Sequence, residues 1–271
     1  MTVVPTHVDD AVYDTTSRQI VPLSGGKDSS SLAVWLSMNY PDVDFEYVTT
    51  DTGVELPEAY DYFDRLEHVL GKKIVRITAL EMLNVPERHG RTPFDVILWE
   101  HFSGFLPSPQ SRWCTRMLKI HPFENYVGKD KAYSYIAIRA DEKRQGYVAN
   151  GKPVMISEEP NISPVYPYKD KGVTIDDVQQ ILTDSGLGMP AYYDWRSRSG
   201  CYFCFFQQQG EWQGLKEHHP DLFAKAKEYE TGKNGRKFTW NQGRTLDEIA
   251  DMPRRKVKQK SDEDGCAICH L

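Results

Sequence analysis

Seven adjacent residues carry the clearest chemistry in the chain: Ser24, Gly25, Gly26, Lys27, Asp28, Ser29 and Ser30. An apolar run at residues 19–23 precedes them, and Leu32, Trp35 and Leu36 follow at helical spacing. That order predicts a strand, a tight glycine turn and a helix N-terminus. The first turn of a helix leaves N–H groups unpaired at the positive end of the macrodipole, which suits phosphate. Two glycines admit close approach of an anion, Lys27 adds a cation, and the serines add hydroxyl donors. A glycine turn merely capped by serines is the competing reading. The Lys-Asp-Ser that follows the glycines directly favours an anion cradle, open to ligand rather than packed. Its spacing is neither that of the kinase and GTPase loop nor that of the dinucleotide fingerprint.

The five cysteines form a second chemical set. Cys201 and Cys204 make one C-x-x-C pair, Cys266 and Cys269 another, and Cys114 stands alone. Such pairs point to metal or redox chemistry rather than structural disulfides in a reducing compartment. Zinc, an iron–sulfur cluster and plain buried thiols all remain open at this point. The two pairs are more than sixty residues apart, far beyond the zinc-ribbon spacing of about twenty. His101, His218 and His219 have no partner at ligand spacing, nor does His89, and read as ordinary histidines.

These residues need elements to position them. A second extended run at 45–50 ends in Asp51, Thr52 and Gly53, a helical stripe follows at 57–70, and residues 73–77 read as a third strand. Alternation of this kind predicts an α/β fold, an open and mostly parallel sheet with helices on both faces. Ligands then bind beyond the C-terminal ends of the strands. Further helices are expected at 114–127, 176–182 and 212–230, the last broken by Pro220, and a strand at 133–138 leading into charged residues 139–144. Residues 86–112 read as a flap or a surface connection around a short helix. The organisation expected is a lead-in at 1–17, a nucleotide-binding α/β domain at 18–185, and a smaller helical, cysteine-bearing region with a tail at 186–271.

The composition is that of a globular chain, 39% hydrophobic and 27% charged, with a formal net charge of −6. An acidic balance argues against general affinity for nucleic acid. The basic run at 254–260 reads as a solvated linker, with a phosphate-contacting strip as its alternative. No apolar run approaches the ~20 residues that span a bilayer. Residues 1–5 do not resemble a leader. A cytoplasmic location without membrane association is the expectation.

The stretch Ser-Gly-Gly-Lys-Asp-Ser-Ser resembles the PP-loop of ATP pyrophosphatases. With residues 50–58, 114–122, 138–142, 166–168, 176–178 and 199–204, the order of motifs is similar to the phosphoadenosine-phosphosulfate reductase family over roughly residues 20–250. The resemblance implies an adenine nucleotide alpha hydrolase-like fold that binds ATP with Mg²⁺. It assigns nucleotide binding to Ser24, Gly25, Gly26, Lys27, Asp28, Ser29, Ser30, Asp51, Thr52, Gly53 and Arg139, with Lys27 and Asp28 also catalytic. The intact Lys27–Asp28 pair points to the ATP-using branch, which resembles sulfurylase subunits and the DndC and SspD proteins of DNA phosphorothioation. The reaction implied is adenylation of an acceptor, with sulfur from a partner cysteine desulfurase and DNA as the acceptor. Reduction of activated sulfate, tRNA thiolation and a non-catalytic nucleotide- or cluster-binding subunit are the alternatives.

The reductases hold an iron–sulfur cluster on a Cys-Cys pair and a C-x-x-C pair. Here the first pair reads Trp113-Cys114, which leaves Cys114, Cys201 and Cys204 as ligands of a 4Fe–4S cluster, with zinc as the alternative. Cys266 or Cys269 would fill the fourth position. Cys269, beside His270, also stands as a nucleophile in the tail.

Overall fold

The computed structural model describes residues 6–83, 90–142, 148–149, 152–153, 157–231, 238–241 and 243–258. In chain order the first elements are α1 (Val8–Val12), β1 (Arg18–Pro22), α2 (Lys27–Asn39), β2 (Phe45–Thr50), α3 (Pro57–Leu70), β3 (Ile74–Ile77), α4 (Ala79–Met82) and α5 (Pro93–Glu100). Next come α6 (Trp113–Thr115), a π-helical turn (Arg116–Ile120), α7 (His121–Val127), β4 (Ala132–Tyr135), the short β5 (Val148–Ala149) and β6 (Lys152–Pro153), and β7 (Ile162–Val165). The last part holds α8 (Pro167–Lys171), α9 (Ile175–Asp184), a 3₁₀ turn (Ala191–Asp194), α10 (Gln209–His218), α11 (Pro220–Glu230) and α12 (Leu246–Asp251).

The main sheet runs β3-β2-β1-β4-β7 with every pairing parallel. Parallel strands need both faces covered, and successive side chains point to opposite faces. Val21, Leu23 and Tyr47 accordingly join a core with Leu32 and Leu36 of α2, Phe63 and Leu66 of α3, and Val178 and Leu182 of α9. Their neighbours Ile20 and Val48 join Ile77, Phe123 and Val127 on the opposite face. The expected α/β architecture is therefore the one observed. Strand order reverses between β1 and β4, and the crevice beyond such a reversal is where open α/β sheets bind ligands.

Local chemistry sets the element ends. Pro57 opens α3, where its missing N–H costs nothing, and Gly71 closes it in the left-handed region at φ 62°. Pro220 ends one helix and starts the next, as the sequence indicates, because it opens α11. The strand expected at 133–138 stops pairing at Tyr135, level with the end of β7 at Val165. Within the lead-in, Val8, Ala11 and Val12 form a buried helix, and the Val8 N–H donates to Asp170 Oδ2 at 2.8 Å.

A second core joins the middle of the chain to its last third. Val54, Leu56, Phe94, Ile97 and Leu98 pack with Trp113, Phe203, Trp212, Leu215 and Leu246. Stacked rings tie it together, Phe203 on Trp240 at 4.8 Å and Phe102 on Trp113 at 4.4 Å between centroids. Helix α5 is thus neither flap nor surface connection, because Phe94, Val96, Ile97 and Leu98 are all buried. Among the described residues, no helix is long and apolar enough to cross a membrane.

The basic run at 254–258 is likewise no free linker. Its backbone lies along α10, where Gln213 Nε2 donates to the Met252 carbonyl at 2.8 Å. Gln213 Oε1 accepts the Arg255 N–H at 3.0 Å, and Gln208 bonds the Lys258 backbone at 2.7 and 3.1 Å. The Arg255 carbonyl sits against Gly210, where an added Cβ would collide with it. Gly210→Ala should therefore lift this strap at a cost of about 1–3 kcal/mol. Limited trypsin digestion should then cut at Arg254 to Lys256 far faster than in the wild type, and equal rates would show that the strap is not held this way.

Candidate active site

The chain leaves β1 through Ser24 and turns at Gly25, whose φ of 70° lies in the region that disfavours a side chain. Gly26 caps α2 without any side-chain cap bond of its own. A Cβ on Gly26 would stand 2.8 Å from Ser199 Oγ, so a side chain here would have to turn that hydroxyl aside. The serines bond one another, Ser24 Oγ with Ser29 Oγ at 3.0 Å.

Charge is concentrated at the reversal point. Asp28 Oδ2 meets Lys27 Nζ at 2.5 Å, and Asp28 Oδ1 meets Arg139 Nη1 at 2.7 Å. Arg139 arrives on the segment after β4 and also pairs with Glu142 at 3.0 Å and Asp141 at 3.1 Å. Asp28 and Arg139 are each only 5% exposed. Such buried charges persist only when paired and hydrogen-bonded. Asp28 thereby ties Lys27 and Arg139 together beside the N-terminus of α2.

The loop after β2 supplies the next wall. Asp51 Oδ1 accepts the Gly53 N–H and the Tyr60 hydroxyl, both at 2.8 Å. Burial and the Asp51 carboxylate push the Tyr60 phenol well up. Gly53, at φ 71°, lies against Pro93 and Thr92, which locks this loop onto α5. A narrow recess opens between Ser24, Thr50, Asp51, Tyr60 and Phe63. Glu55 and Tyr60 also border a neighbouring cleft of about 780 Å³ that reaches Trp99, Tyr202 and Tyr229.

Residues 191–204 close the site from above. Tyr192 donates its hydroxyl to the Gly25 carbonyl at 2.6 Å, and the Tyr193 hydroxyl accepts the Lys27 N–H at 3.4 Å. Ser199 Oγ donates to Ser24 Oγ at 3.3 Å. The loop expected to be open is therefore substantially packed, with Gly25, Gly26, Asp28, Ser29 and Ser30 all buried. Sequence reasoning missed Tyr192 and Tyr193, which carry no spacing signal. Ser199 precedes the cysteine pair and was legible only as part of that motif.

The same segment places the thiols. Cys201 Sγ lies 3.8 Å from Glu55 Oε1 and 3.6 Å from Thr52 Oγ1. Desolvation, then the Glu55 carboxylate, push the Cys201 thiol well up; Lys119 pulls the other way, and Cys204 and Cys114 add smaller upward pushes. The three thiols thus share one neighbourhood. Arg198 Nη2 donates to Cys204 Sγ at 3.2 Å. Arg196, 1% exposed, donates to the carbonyls of Gly200 and Cys201, both at 3.1 Å. Among the described residues no three His, Cys, Asp or Glu side chains are arranged as a metal site. The thiols themselves are soft donors of the kind that hold an iron–sulfur cluster or zinc, and Arg198 on Cys204 and Lys119 near Cys201 favour the thiolate against burial and Glu55. Trp113 adds no ligand: its ring is stacked in the aromatic core, and Nε1 donates to the Phe105 carbonyl at 3.0 Å. Cys266, Cys269 and His270 lie outside the described residues.

Removing the cation that serves three acids should cost far more than removing Lys27. Arg139→Ala is expected to lower stability by about 3–5 kcal/mol, and Lys27→Ala by less than about 1 kcal/mol. Urea unfolding of both variants measures this, and equal losses would contradict the buried-pair account.

The phosphoadenosine phosphosulfate reductase domain matches residues 18–205. Two uncharacterized proteins of Methanocaldococcus jannaschii are 24% and 26% identical, over 79% and 74% of this chain but 42% and 45% of their own lengths. The chain thus spans less than half of either. An uncharacterized 37.8 kDa protein of Escherichia phage 186 is 23% identical over 82% of this chain and 77% of its own. Among solved structures, the phosphate complex of phosphoadenylyl-sulfate reductase from Candida auris aligns at 13% identity and a TM-score of 0.47, covering 69% of this chain and 82% of that one. The U34-tRNA thiolase NcsA of Methanococcus maripaludis, solved with its [4Fe–4S] cluster, aligns at 16% identity and a TM-score of 0.45, covering 82% and 72%. With the family domain matched over residues 18–205, this chain belongs to the phosphoadenosine phosphosulfate reductase domain family.

Proposed function

We propose that the protein is an ATP pyrophosphatase that adenylates an acceptor for sulfur insertion. Family membership supports a nucleotide-using enzyme of sulfur chemistry. The single observation that carries the finer reading is the Lys27–Asp28–Arg139 cluster beside the glycine-capped N-terminus of α2. Two cations and backbone N–H groups at one point suit a triphosphate that arrives with Mg²⁺. An acceptor oxygen attacks the α-phosphorus, its bond to the bridging oxygen breaks, and pyrophosphate leaves with its charge met by Lys27 and Arg139. Catalysis of this kind is positioning plus electrostatic stabilisation. The terminal sulfur of a persulfide then attacks the activated acceptor and AMP leaves, and a second thiol attacks the resulting acceptor–disulfide, releasing the thiolated acceptor and forming a new disulfide between the two thiols.

The thiols of Cys114, Cys201 and Cys204 are the groups that would hold an iron–sulfur cluster. Such a cluster would supply a reduced, sulfur-binding centre beside the nucleotide. The chain's own part is to fix the backbone of the thiol turn through Arg196 and to place Arg198 on Cys204. DNA phosphorothioation is the preferred pathway, with a cysteine desulfurase as sulfur donor in the cytoplasm. The strap at 252–258 supports a nucleic-acid acceptor: its backbone is fixed on α10 while Arg255, Lys256 and Lys258 remain exposed, a display suited to backbone phosphates.

Pyrophosphate release from ATP tests the reading, and Lys27→Ala should abolish it in a protein that stays folded. Anaerobic purification should give a brown protein whose iron is lost in each of Cys114→Ala, Cys201→Ala and Cys204→Ala. Wild-type pyrophosphate release by Lys27→Ala would sink the loop assignment, and a colourless protein with one zinc would move the same ligands to a structural role.

A further inference from the structure

The Tyr193 hydroxyl meets the N-terminus of α2. It accepts the Lys27 N–H at 3.4 Å, the first helical N–H of α2. Its ring faces Lys27 Nζ at 5.9 Å. An anion bound at this N-terminus takes that N–H, because helix N–H groups and the dipole favour negative charge there. A phenol can then reverse its role and donate to the anion, since the hydroxyl is both donor and acceptor. The ring does not need to leave. Tyr192 stacks against it at 5.1 Å between centroids and is itself anchored to the Gly25 carbonyl.

Ser199 stands in the same relation to the floor of the loop. Its Oγ lies over Gly26, where any Cβ would intrude, and donates to Ser24 Oγ. We propose that Tyr193 and Ser199 are phosphate-binding residues supplied by the cysteine-bearing segment, so that one stretch of chain holds both the anion and the thiols. The proposal rests on the reading of residues 24–30 as a phosphate loop and adds ligands from outside it.

The stretch between these residues and Cys201 is stiff. The Arg196 N–H donates to the Tyr192 carbonyl at 2.9 Å, and the guanidinium of Arg196 clamps the Gly200 and Cys201 carbonyls. The Tyr202 N–H donates to the Val54 carbonyl at 2.9 Å, which ties the thiol turn to the Asp51 loop. Ordering at Tyr193 and Ser199 is therefore passed along a bonded path to the thiol turn. A merely structural tyrosine would pack here equally well without touching the anion, and the two roles separate in binding.

The test uses the full chain and inorganic pyrophosphate with Mg²⁺. Calorimetry should show Tyr193→Phe, which keeps the ring, binding pyrophosphate about tenfold more weakly, as expected for a lost hydrogen bond to a charged group. Ser199→Ala should also bind more weakly, and it stands as the second variant should Tyr193→Phe fail to fold. Hydrogen exchange should show pyrophosphate slowing the amides of residues 199–204 as well as 24–30 in the wild type. In Tyr193→Phe at saturating pyrophosphate, protection should persist at 24–30 and fade at 199–204. Wild-type affinity in both variants, or full protection at 199–204 in Tyr193→Phe, would overturn the proposal. A wild-type protein that does not bind pyrophosphate at all would instead overturn the phosphate-loop reading beneath it.

Discussion

The buried ion pair between Asp28 and Arg139, 2.7 Å long, is the constraint on which the rest of the site depends. It joins the first turn of α2 to the segment after β4, the two sides of the point where strand order reverses. Neither charge tolerates that burial alone. With the pair formed, Lys27 is drawn to Asp28 from the other side, and both cations are fixed before any ligand arrives. Preorganised charge of this kind stabilises a developing anion without further rearrangement. The sheet and its two covering layers of helix are what hold the pair in register.

The C-terminal third then acts on this edge through a few side chains. The second core, in which Phe203 stacks on Trp240 and packs against Phe94 at 4.5 Å, fixes residues 191–204 above the loop. From that anchored segment come the tyrosines on Gly25 and Lys27, the serine over Gly26, and the thiols beside Glu55. Arg196 is the hinge of the arrangement in chemical terms. It is a buried cation that bonds only backbone carbonyls among its described hydrogen bonds, and it fixes the turn that carries Cys201. One short piece of chain thereby meets both the glycine loop and the thiol turn.

What was legible in the sequence had local signals. Paired glycines between an extended run and a helical stripe mark the turn into α2, extended apolar runs mark buried strands, and Pro57, Gly71 and Pro220 mark helix ends. Arg139 was legible because it follows a strand at the functional edge. What escaped was long-range. Tyr192 meets Gly25 across 167 positions, and Ser199 meets Ser24 across 175, so no periodicity records either contact. Helix α5 was misread because its flanks are rich in proline, glycine and arginine, whereas its burial is decided by distant aromatic rings. At 254–258 the solvated charge was legible, whereas the backbone's attachment was not, because Gln208 and Gln213, which hold it, stand at the start of α10 and on it. Trp113 gained its meaning only from the rings stacked on it, which make it a core anchor where the reductases carry a cysteine.

The most direct test of the central claim is a crystal structure of the protein with Mg²⁺ and a non-hydrolysable ATP analogue. The account predicts the triphosphate against residues 25–30, with Lys27 and Arg139 on its oxygens and the base toward Asp51, Tyr60 and Phe63. A nucleotide seated in the 780 Å³ cleft by Trp99 and Tyr229, with Asp28 and Arg139 untouched, would contradict it.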